Sequence, residues 1–326
     1  MKIVIANTYL LDLDDVSWNG LNHYGEVKIL SKGEISPTED DLIAALDGVE
    51  VAILHQSKVT RRLLEQCQTL RFISITSTGY DLITDDTKRF AKDKGVIISY
   101  VAGYGVESVS QHAIAFLLEW SDKIAMLNQD VHQGKWKVLS EFKHTGTRHL
   151  MELSGRTLGI IGFGSIGRNT AKIAKALDMK ILACDSNPCQ AGRDLADYVD
   201  LDTLLRRSDF ISLHCPWTTE TNEIINANTI KKMKKGAFLI NTARGKLVNE
   251  KDLADALNTG KLGGAGVDVV STEPINMSNP LFTAKNCLIT PHSSWMASET
   301  RQKLVDCIVN NVKAYCEGHP QAVVNP

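Results

Sequence analysis

Residues 156–167 read Arg156-Thr157-Leu158-Gly159-Ile160-Ile161-Gly162-Phe163-Gly164-Ser165-Ile166-Gly167, and the stretch closes at Lys180-Ile181-Leu182-Ala183-Cys184-Asp185. The apolar run 157–161 predicts a strand, and three glycines spaced GxGxxG follow it directly. Ile166, Thr170, Ile173, Ala174 and Leu177 then recur at helical spacing, so a helix begins where the glycines end. A second apolar run, 180–184, predicts another strand, and a single acid, Asp185, stands 185 − 167 = 18 residues beyond the last glycine. Each part has a physical task if a dinucleotide binds here. Gly162 turns the chain out of the strand, Gly164 admits a pyrophosphate to the backbone, and Gly167 lets the helix lie close on the sheet. The free N–H groups of Ser165, Ile166 and Gly167 and the helix dipole face the phosphates. Asp185 accepts from both ribose hydroxyls and repels a 2′-phosphate, which favours NAD over NADP.

Composition bounds the rest. A chain of 326 residues is long for one core and predicts two domains. Charge is nearly balanced, 36 Lys and Arg against 38 Asp and Glu, without a basic run, which argues against nucleic acid or an anionic membrane as the main partner. The Lys231-Lys232-Met233-Lys234-Lys235 cluster reads as a solvated helix end. Seven cysteines form no CxxC pair and no His/Cys metal set, which fits reduced thiols and a cytoplasmic setting. The opening Lys2-Ile3-Val4-Ile5-Ala6 is too short for a signal peptide's apolar region, and no run approaches a membrane span.

Residues 1–103 alternate apolar runs (3–6, 51–54, 72–75, 96–98) with helical stretches (39–46, 61–67, 85–92), the rhythm of a parallel α/β sheet covered on both faces. Ser77-Thr78-Gly79-Tyr80-Asp81 follows the third run, where open sheets bind ligands and a small-residue turn can aim N–H groups at an anion. Val101-Ala102-Gly103-Tyr104-Gly105 reads as a joint between domains. One long helix is expected through Val109, Ala113, Phe116, Leu117, Trp120, Ile124 and Leu127. Residues 128–155, with Trp136 and Phe142, lack periodicity and read as an arm that packs on a neighbouring element or a second subunit. Strands are expected at 210–213, 237–240, 264–269 and 287–289, with helices at 250–257 and 297–316; the last is expected to return to the N-terminal domain.

Arg244, Glu273 and His292 each stand just past one of these apolar runs. Singly, each is an ordinary surface arginine, a turn or a satisfied polar residue. Together they are the types that reduction of a 2-keto acid calls for. Arginine offers a planar fork for a carboxylate, histidine exchanges a proton near neutrality, and a carboxylate orients the imidazole and favours its charged form. Cys215, before Pro216, reads as a small apolar residue, with no base beside it.

These motifs, Gly162-Phe163-Gly164-Ser165-Ile166-Gly167 with Asp185, His214-Cys215-Pro216, Asn241-Thr242-Ala243-Arg244-Gly245, Asp268 through Glu273-Pro274 and Pro291-His292, resemble the D-isomer-specific 2-hydroxyacid dehydrogenases over nearly the whole chain. Thr76-Ser77-Thr78-Gly79-Tyr80, Asn279-Pro280-Leu281 and Thr290-Pro291-His292-Ser293-Ser294-Trp295 are most similar to the glycerate dehydrogenase, or hydroxypyruvate reductase, branch. The resemblance implies two doubly wound α/β domains: a Rossmann NAD domain (104–295) inserted in a flavodoxin-like substrate domain (1–103 with 296–326), with a cleft between them and a homodimer through the NAD domains. It implies that His292 is the acid/base, Glu273 its partner, and Arg244 the group that binds substrate carboxylate and carbonyl. Ser77, Thr78 and Gly79 would hold the carboxylate, and Asp268 would orient the nicotinamide carboxamide. Cys215 and Pro216 would line the adenine side and Thr242, Ala243 and Arg244 the nicotinamide ribose, and His214, Thr221, His292 and Ser294 would also bind the cofactor.

The activity so implied is NADH-dependent reduction of hydroxypyruvate or glyoxylate to the D-2-hydroxy acid, and the reverse. A D-lactate-type reductase keeps the chemistry and changes the substrate. An NAD-sensing corepressor of the C-terminal-binding-protein type shares the fold and the three residues, but is expected to carry tails beyond a core such as this one.

Overall fold

The computed structural model describes residues 1–33, 35–55, 57–80, 83–137 and 150–326; Asp81 and Phe142 lie outside the described residues. The chain divides into two compact units, Met1–Gly105 with Trp295–Pro326, and Val106–Ser294.

In the first unit β1 (Lys2–Ile5), β2 (Glu26–Ile29), β3 (Val51–Leu54), β4 (Phe72–Ile75) and β5 (Ile97–Ser99) form a five-stranded parallel sheet of order β2-β1-β3-β4-β5. This is the doubly wound, flavodoxin-like order. Helices α1 (Glu39–Ala45), α2 (Arg61–Gln66) and α3 (Asp85–Asp93) each start behind a threonine. The hydroxyls of Thr38, Thr60 and Thr84 accept the otherwise unpaired N–H groups of Asp41, Leu63 and Thr87. Leu42, Leu63, Leu64 and Ala91 from these helices pack with Ile73 and Ile75 on one sheet face. Strand β2 was not legible in the sequence. It is an edge strand of Glu26-Val27-Lys28-Ile29, and only two of its residues are apolar.

The second unit begins with α4 (Val106–Asp122) and α5 (Ile124–His132). The sequence suggested one continuous helix ending near Leu127, but Lys123 takes a left-handed conformation (φ 53°) and breaks it. The ammonium of Lys123 lies 3.9 Å from the Trp120 ring centroid, a cation–π contact that offsets the cost of this backbone. Helix α5 then reaches His132, into the stretch expected to lack periodicity.

The sheet of this unit contains β6 (Thr157–Ile161), β7 (Lys180–Cys184), β8 (Asp197–Tyr198), β9 (Phe210–Leu213), β10 (Ala237–Asn241), β11 (Leu262–Val267) and β12 (Cys287–Ile289). Its order is β12-β11-β10-β9-β6-β7-β8, so the direction of winding reverses between β6 and β9, the switch point at which such sheets take ligands. Among the described residues the unit also holds α6 (Ser165–Ala176), α7 (Gln190–Arg193), α8 (Leu201–Arg207), α9 (Ala227–Lys232) and α10 (Glu250–Asn258). Helices α4 and α6 bury Ala113, Phe116, Leu117, Ala171 and Ala174 against Leu158, Ile160, Phe210 and Phe238 on one face. Leu204, Leu205, Ile230, Leu253 and Leu257 cover the other. Strand β11 is rich in glycine because α4 lies almost on its backbone. A Cβ at Gly266 would stand 2.5 Å from the Phe116 ring, and one at Gly264 would stand 2.6 Å from Trp120.

The terminal helix α11 (Ser298–Cys316) belongs to the first unit, on the sheet face opposite α1–α3. Its Leu304, Val305, Ile308 and Val312 are fully buried with Ile3, Ile5, Val51, Ile53 and Phe72. Arg301, 4% exposed, forms a two-pronged pair with Asp15 at 2.5 Å and donates to the Leu11 carbonyl. No helix among the described residues is long and apolar enough to cross a membrane. Because Ile308 fills this core, Ile308→Ala is expected to lower unfolding free energy by about 2–5 kcal/mol in urea titrations; a loss under about 1 kcal/mol would contradict the packing role of α11.

Candidate active site

The glycine turn connects β6 to α6, and its three glycines meet three different constraints. Gly162 has φ +88°, and a Cβ there would come within 2.3 Å of the Cys215 nitrogen, so the turn runs against the segment leaving β9. A Cβ on Gly167 would press on the Gly162 carbonyl at 2.3 Å. Around Gly164 a Cβ would meet nothing within 4 Å, and this residue caps α6 without a side-chain acceptor for the helix's first N–H groups. Asp185, the residue after β7, accepts from Phe163 N at 2.5 Å and from Asn187 N at 2.7 Å. Its carboxylate therefore ties the glycine turn to the end of the neighbouring strand.

Beyond β9, His214 bonds through Nε2 to Ser212 Oγ at 2.9 Å, and burial pushes its pKa down to about 4, so the ring is neutral at pH 7. Burial likewise pushes the Cys215 thiol up to about 11, which makes it a small buried residue and not a nucleophile. Thr221 Oγ1 donates to the Pro216 carbonyl at 2.8 Å and closes that loop.

Strands β10, β11 and β12 are adjacent and in register, Asn241 beside Val267 and Val267 beside Ile289, so the segments that follow them leave one sheet edge side by side. After β10 comes Thr242-Ala243-Arg244. Asn241 shapes this turn, accepting from Ala243 N at 3.0 Å and donating to the Arg244 carbonyl at 2.9 Å. Gly245 follows because a Cβ there would fall 1.9 Å from the Val270 backbone. The Arg244 guanidinium donates to the Ala243 carbonyl at 2.8 Å. Glu273, from the segment after β11, accepts from Val270 N at 3.1 Å and holds His292 Nδ1 at 2.7 Å.

His292 has a left-handed backbone, φ 51°, an uncommon state for a residue with a side chain. Its N–H donates to the Asp268 carbonyl at 2.8 Å. The buried Asp268 carboxylate accepts from Thr290 Oγ1 at 2.6 Å, Ser293 N at 2.9 Å and Ser294 N at 3.0 Å. Burial raises its proton affinity, but the bonds from Thr290, Ser293 and Ser294 outweigh this and hold the pKa below the usual carboxylate range. The whole 290–294 loop is thus organised by one anion. Ser77, Thr78 and Gly79 stand in the first unit beyond β4. Ser77 Oγ donates to the Gly79 carbonyl at 2.7 Å and Thr78 Oγ1 donates to the Val101 carbonyl at 2.9 Å.

Sequence reasoning passed over two residues here. His112 on α4 lies 3.0 Å from Thr290 Oγ1, and Ser108 donates its hydroxyl to the Ser294 carbonyl. A helical histidine among apolar neighbours carries no motif; the available signal was the four-residue spacing of Ser108, His112, Phe116 and Trp120 along one face of α4, opposite a glycine-rich strand.

The residues fit a dinucleotide on their own observations. The helix start behind Gly164 is open and uncapped, and Thr242 Oγ1 is buried with no hydrogen-bond partner among the described residues. Asp185 lies at the end of β7, on the other side of the glycine turn from Thr242.

Residues 114–294 match the family profile described as "D-isomer specific 2-hydroxyacid dehydrogenase, NAD binding domain". A hydroxypyruvate reductase of Blautia hydrogenotrophica is 42% identical over 100% of this chain and 100% of its own length. A glycerate dehydrogenase of Methylorubrum extorquens is 36% identical, covering 99% and 98%. Among solved structures, an acyclic imino acid reductase in complex with NADPH and D-Arg matches with a TM-score of 0.85 at 28% identity, covering 99% of this chain and 100% of that one. The profile spans more than half of the chain and the two relatives span nearly all of it, so the protein belongs to the D-isomer-specific 2-hydroxyacid dehydrogenases and is an NAD-dependent enzyme of that family.

Proposed function

We propose that the protein reduces hydroxypyruvate or glyoxylate to the D-2-hydroxy acid with NADH, and runs the reverse reaction when product and NAD accumulate. The observation that carries this reading is the 2.7 Å pair of Glu273 and His292 at the sheet edge that Arg244 shares. Since Glu273 occupies Nδ1, the ring presents Nε2 to the substrate. A proton leaves Nε2 for the carbonyl oxygen as that carbon is reduced, and returns to Nε2 in the oxidative direction. The Glu273 carboxylate compensates the imidazolium that precedes each reduction. Arg244 binds the substrate carboxylate and polarises the carbonyl through its planar fork, and Asn241 keeps that arginine's turn in shape. NADH, when bound along the glycine turn, supplies the hydride. Ser77, Thr78 and Gly79 are proposed as further carboxylate ligands, Asp268 as the group facing the carboxamide, and Cys215, Pro216 and Thr221 as the adenine wall.

The names of the relatives support this substrate class. The experiment is a panel of initial rates with NADH and NADPH on hydroxypyruvate, glyoxylate, pyruvate, 2-oxobutyrate and phosphohydroxypyruvate. Highest kcat/KM on the first two is expected; pyruvate on top would move the enzyme to the D-lactate type.

A homodimer is proposed from α5, which buries none of its residues. Ile124, Met126 and Val131 are exposed on it, and Trp136 is exposed just beyond. Such an apolar surface suits a second copy of this chain, and sedimentation equilibrium reading a monomer would remove it. A cytoplasmic setting is proposed from seven cysteines without a disulfide among them.

Two substitutions test the site. His292→Ala is expected to lower turnover by about a hundredfold or more while NADH still binds in fluorescence titration; near-normal turnover removes His292 from the chemistry. An enzyme of this fold was solved with NADPH, so the discrimination is assigned here to the residue after β7. Asp185→Ala is expected to raise the ratio of kcat/KM for NADPH over NADH, and an unchanged ratio, or a parent enzyme that already prefers NADPH, contradicts that assignment.

A further inference from the structure

The ridge Ser108, His112, Phe116 and Trp120 on α4 ends at the loop that carries His292. Phe116 and Trp120 rest on the bare backbone of Gly266 and Gly264, and the His112 ring meets the Phe116 ring edge to face at 4.9 Å and 88°. The two packed aromatics set the height of the helix above β11. One turn further on, His112 Nε2 lies 3.0 Å from Thr290 Oγ1 and 3.7 Å from Asp268 Oδ1.

The direction of every bond in this chain is fixed. Asp268 is ionised, held so by its donors, and an ionised carboxylate only accepts. Thr290 has one hydroxyl proton, and at 2.6 Å it goes to Asp268 Oδ1. The Thr290 oxygen must then accept at 3.0 Å, so His112 donates from a protonated Nε2. We infer that His112 is a positioning residue for the reaction, a fixed donor that orients Thr290 and Asp268 and through them holds the His292 loop in register. This rests on the reading of His292 as the acid/base. The chain runs His112 Nε2–H to Thr290 Oγ1, Thr290 O–H to Asp268 Oδ1, and Ser293 N–H and Ser294 N–H to the same carboxylate, with His292 between these anchors. Ser108, donating to the Ser294 carbonyl, closes the far side of the loop. Loss of the donor frees the Thr290 hydroxyl to rotate, and Asp268 then loses its strongest ligand. The loop bearing the imidazole shifts while the glycine turn stays in place.

The test compares His112→Phe, which keeps a ring on Phe116 and removes the donor, with His112→Gln, whose amide can still donate to Thr290. With hydroxypyruvate and NADH, His112→Phe is expected to lower kcat on the order of tenfold to a hundredfold, the scale for a misplaced catalytic group, with a smaller change in NADH affinity because the glycine turn stays in place. His112→Gln is expected to recover most of that loss. Thr290→Val should cost a similar factor, and the double variant His112→Phe/Thr290→Val should be no worse than the poorer single, because both cut one chain. Should His112→Phe fail to fold, Thr290→Val reads the same link from its other end. The inference is overturned by normal kcat in both His112→Phe and Thr290→Val, by His112→Gln falling as far as His112→Phe, or by multiplicative losses in the double variant. His292→Ala run in parallel separates the two failures. An inactive His292→Ala beside an active His112→Phe sinks only the positioning role, whereas an active His292→Ala sinks the acid/base reading itself.

Discussion

One buried carboxylate organises the loop that carries the proposed acid, His292. Asp268 is almost wholly removed from water, and an ionised carboxylate in such a place is tolerated only where donors surround it. Thr290, Ser293 and Ser294 supply them, and the Asp268 carbonyl takes the N–H of His292. The anion's need for donors therefore fixes a loop that would otherwise have no reason to hold a left-handed histidine. Pre-organisation of this kind is what acid/base chemistry requires, because the proton donor must already be in place when the carbonyl arrives.

Close backbone approach is the second constraint, and glycine meets it at three junctions of the second unit. Gly162 and Gly167 bring the turn, the β9 exit and α6 together; Gly245 brings the Arg244 turn against Val270; Gly264 and Gly266 let α4 settle on β11. The arrangement links the proposed cofactor turn with the proposed acid, since Asn169 of α6 donates to Ser110 of α4 at 2.6 Å while Ser108 and His112 of the same helix reach the His292 loop. One helix touches both halves of the site.

Local pattern made part of this visible in advance. Strands β6 and β7 were read at their observed limits because each is an uninterrupted apolar run bounded by a glycine turn or a single acid. Glu273 and His292 are legible as a pair because the chemistry asks for both types, and they stand 2.7 Å apart. The left-handed Lys123 is hidden, since apolar periodicity carries on across it and the break rests on contacts with the Trp120 ring and the Glu119 carboxylate. Ser108 and His112 are hidden for another reason: their partners stand in a loop 186 and 178 residues away, and neither spacing leaves a mark on a single sequence.

The proposed site at this sheet edge presents hydride and proton to fixed faces of a 2-keto acid, so only one enantiomer should form. The most direct measurement is the configuration of the glycerate made from hydroxypyruvate and NADH, resolved by chiral chromatography. D-glycerate alone, formed in step with NADH oxidation, is the predicted result; L-glycerate, a racemate, or NADH oxidation without glycerate would contradict it.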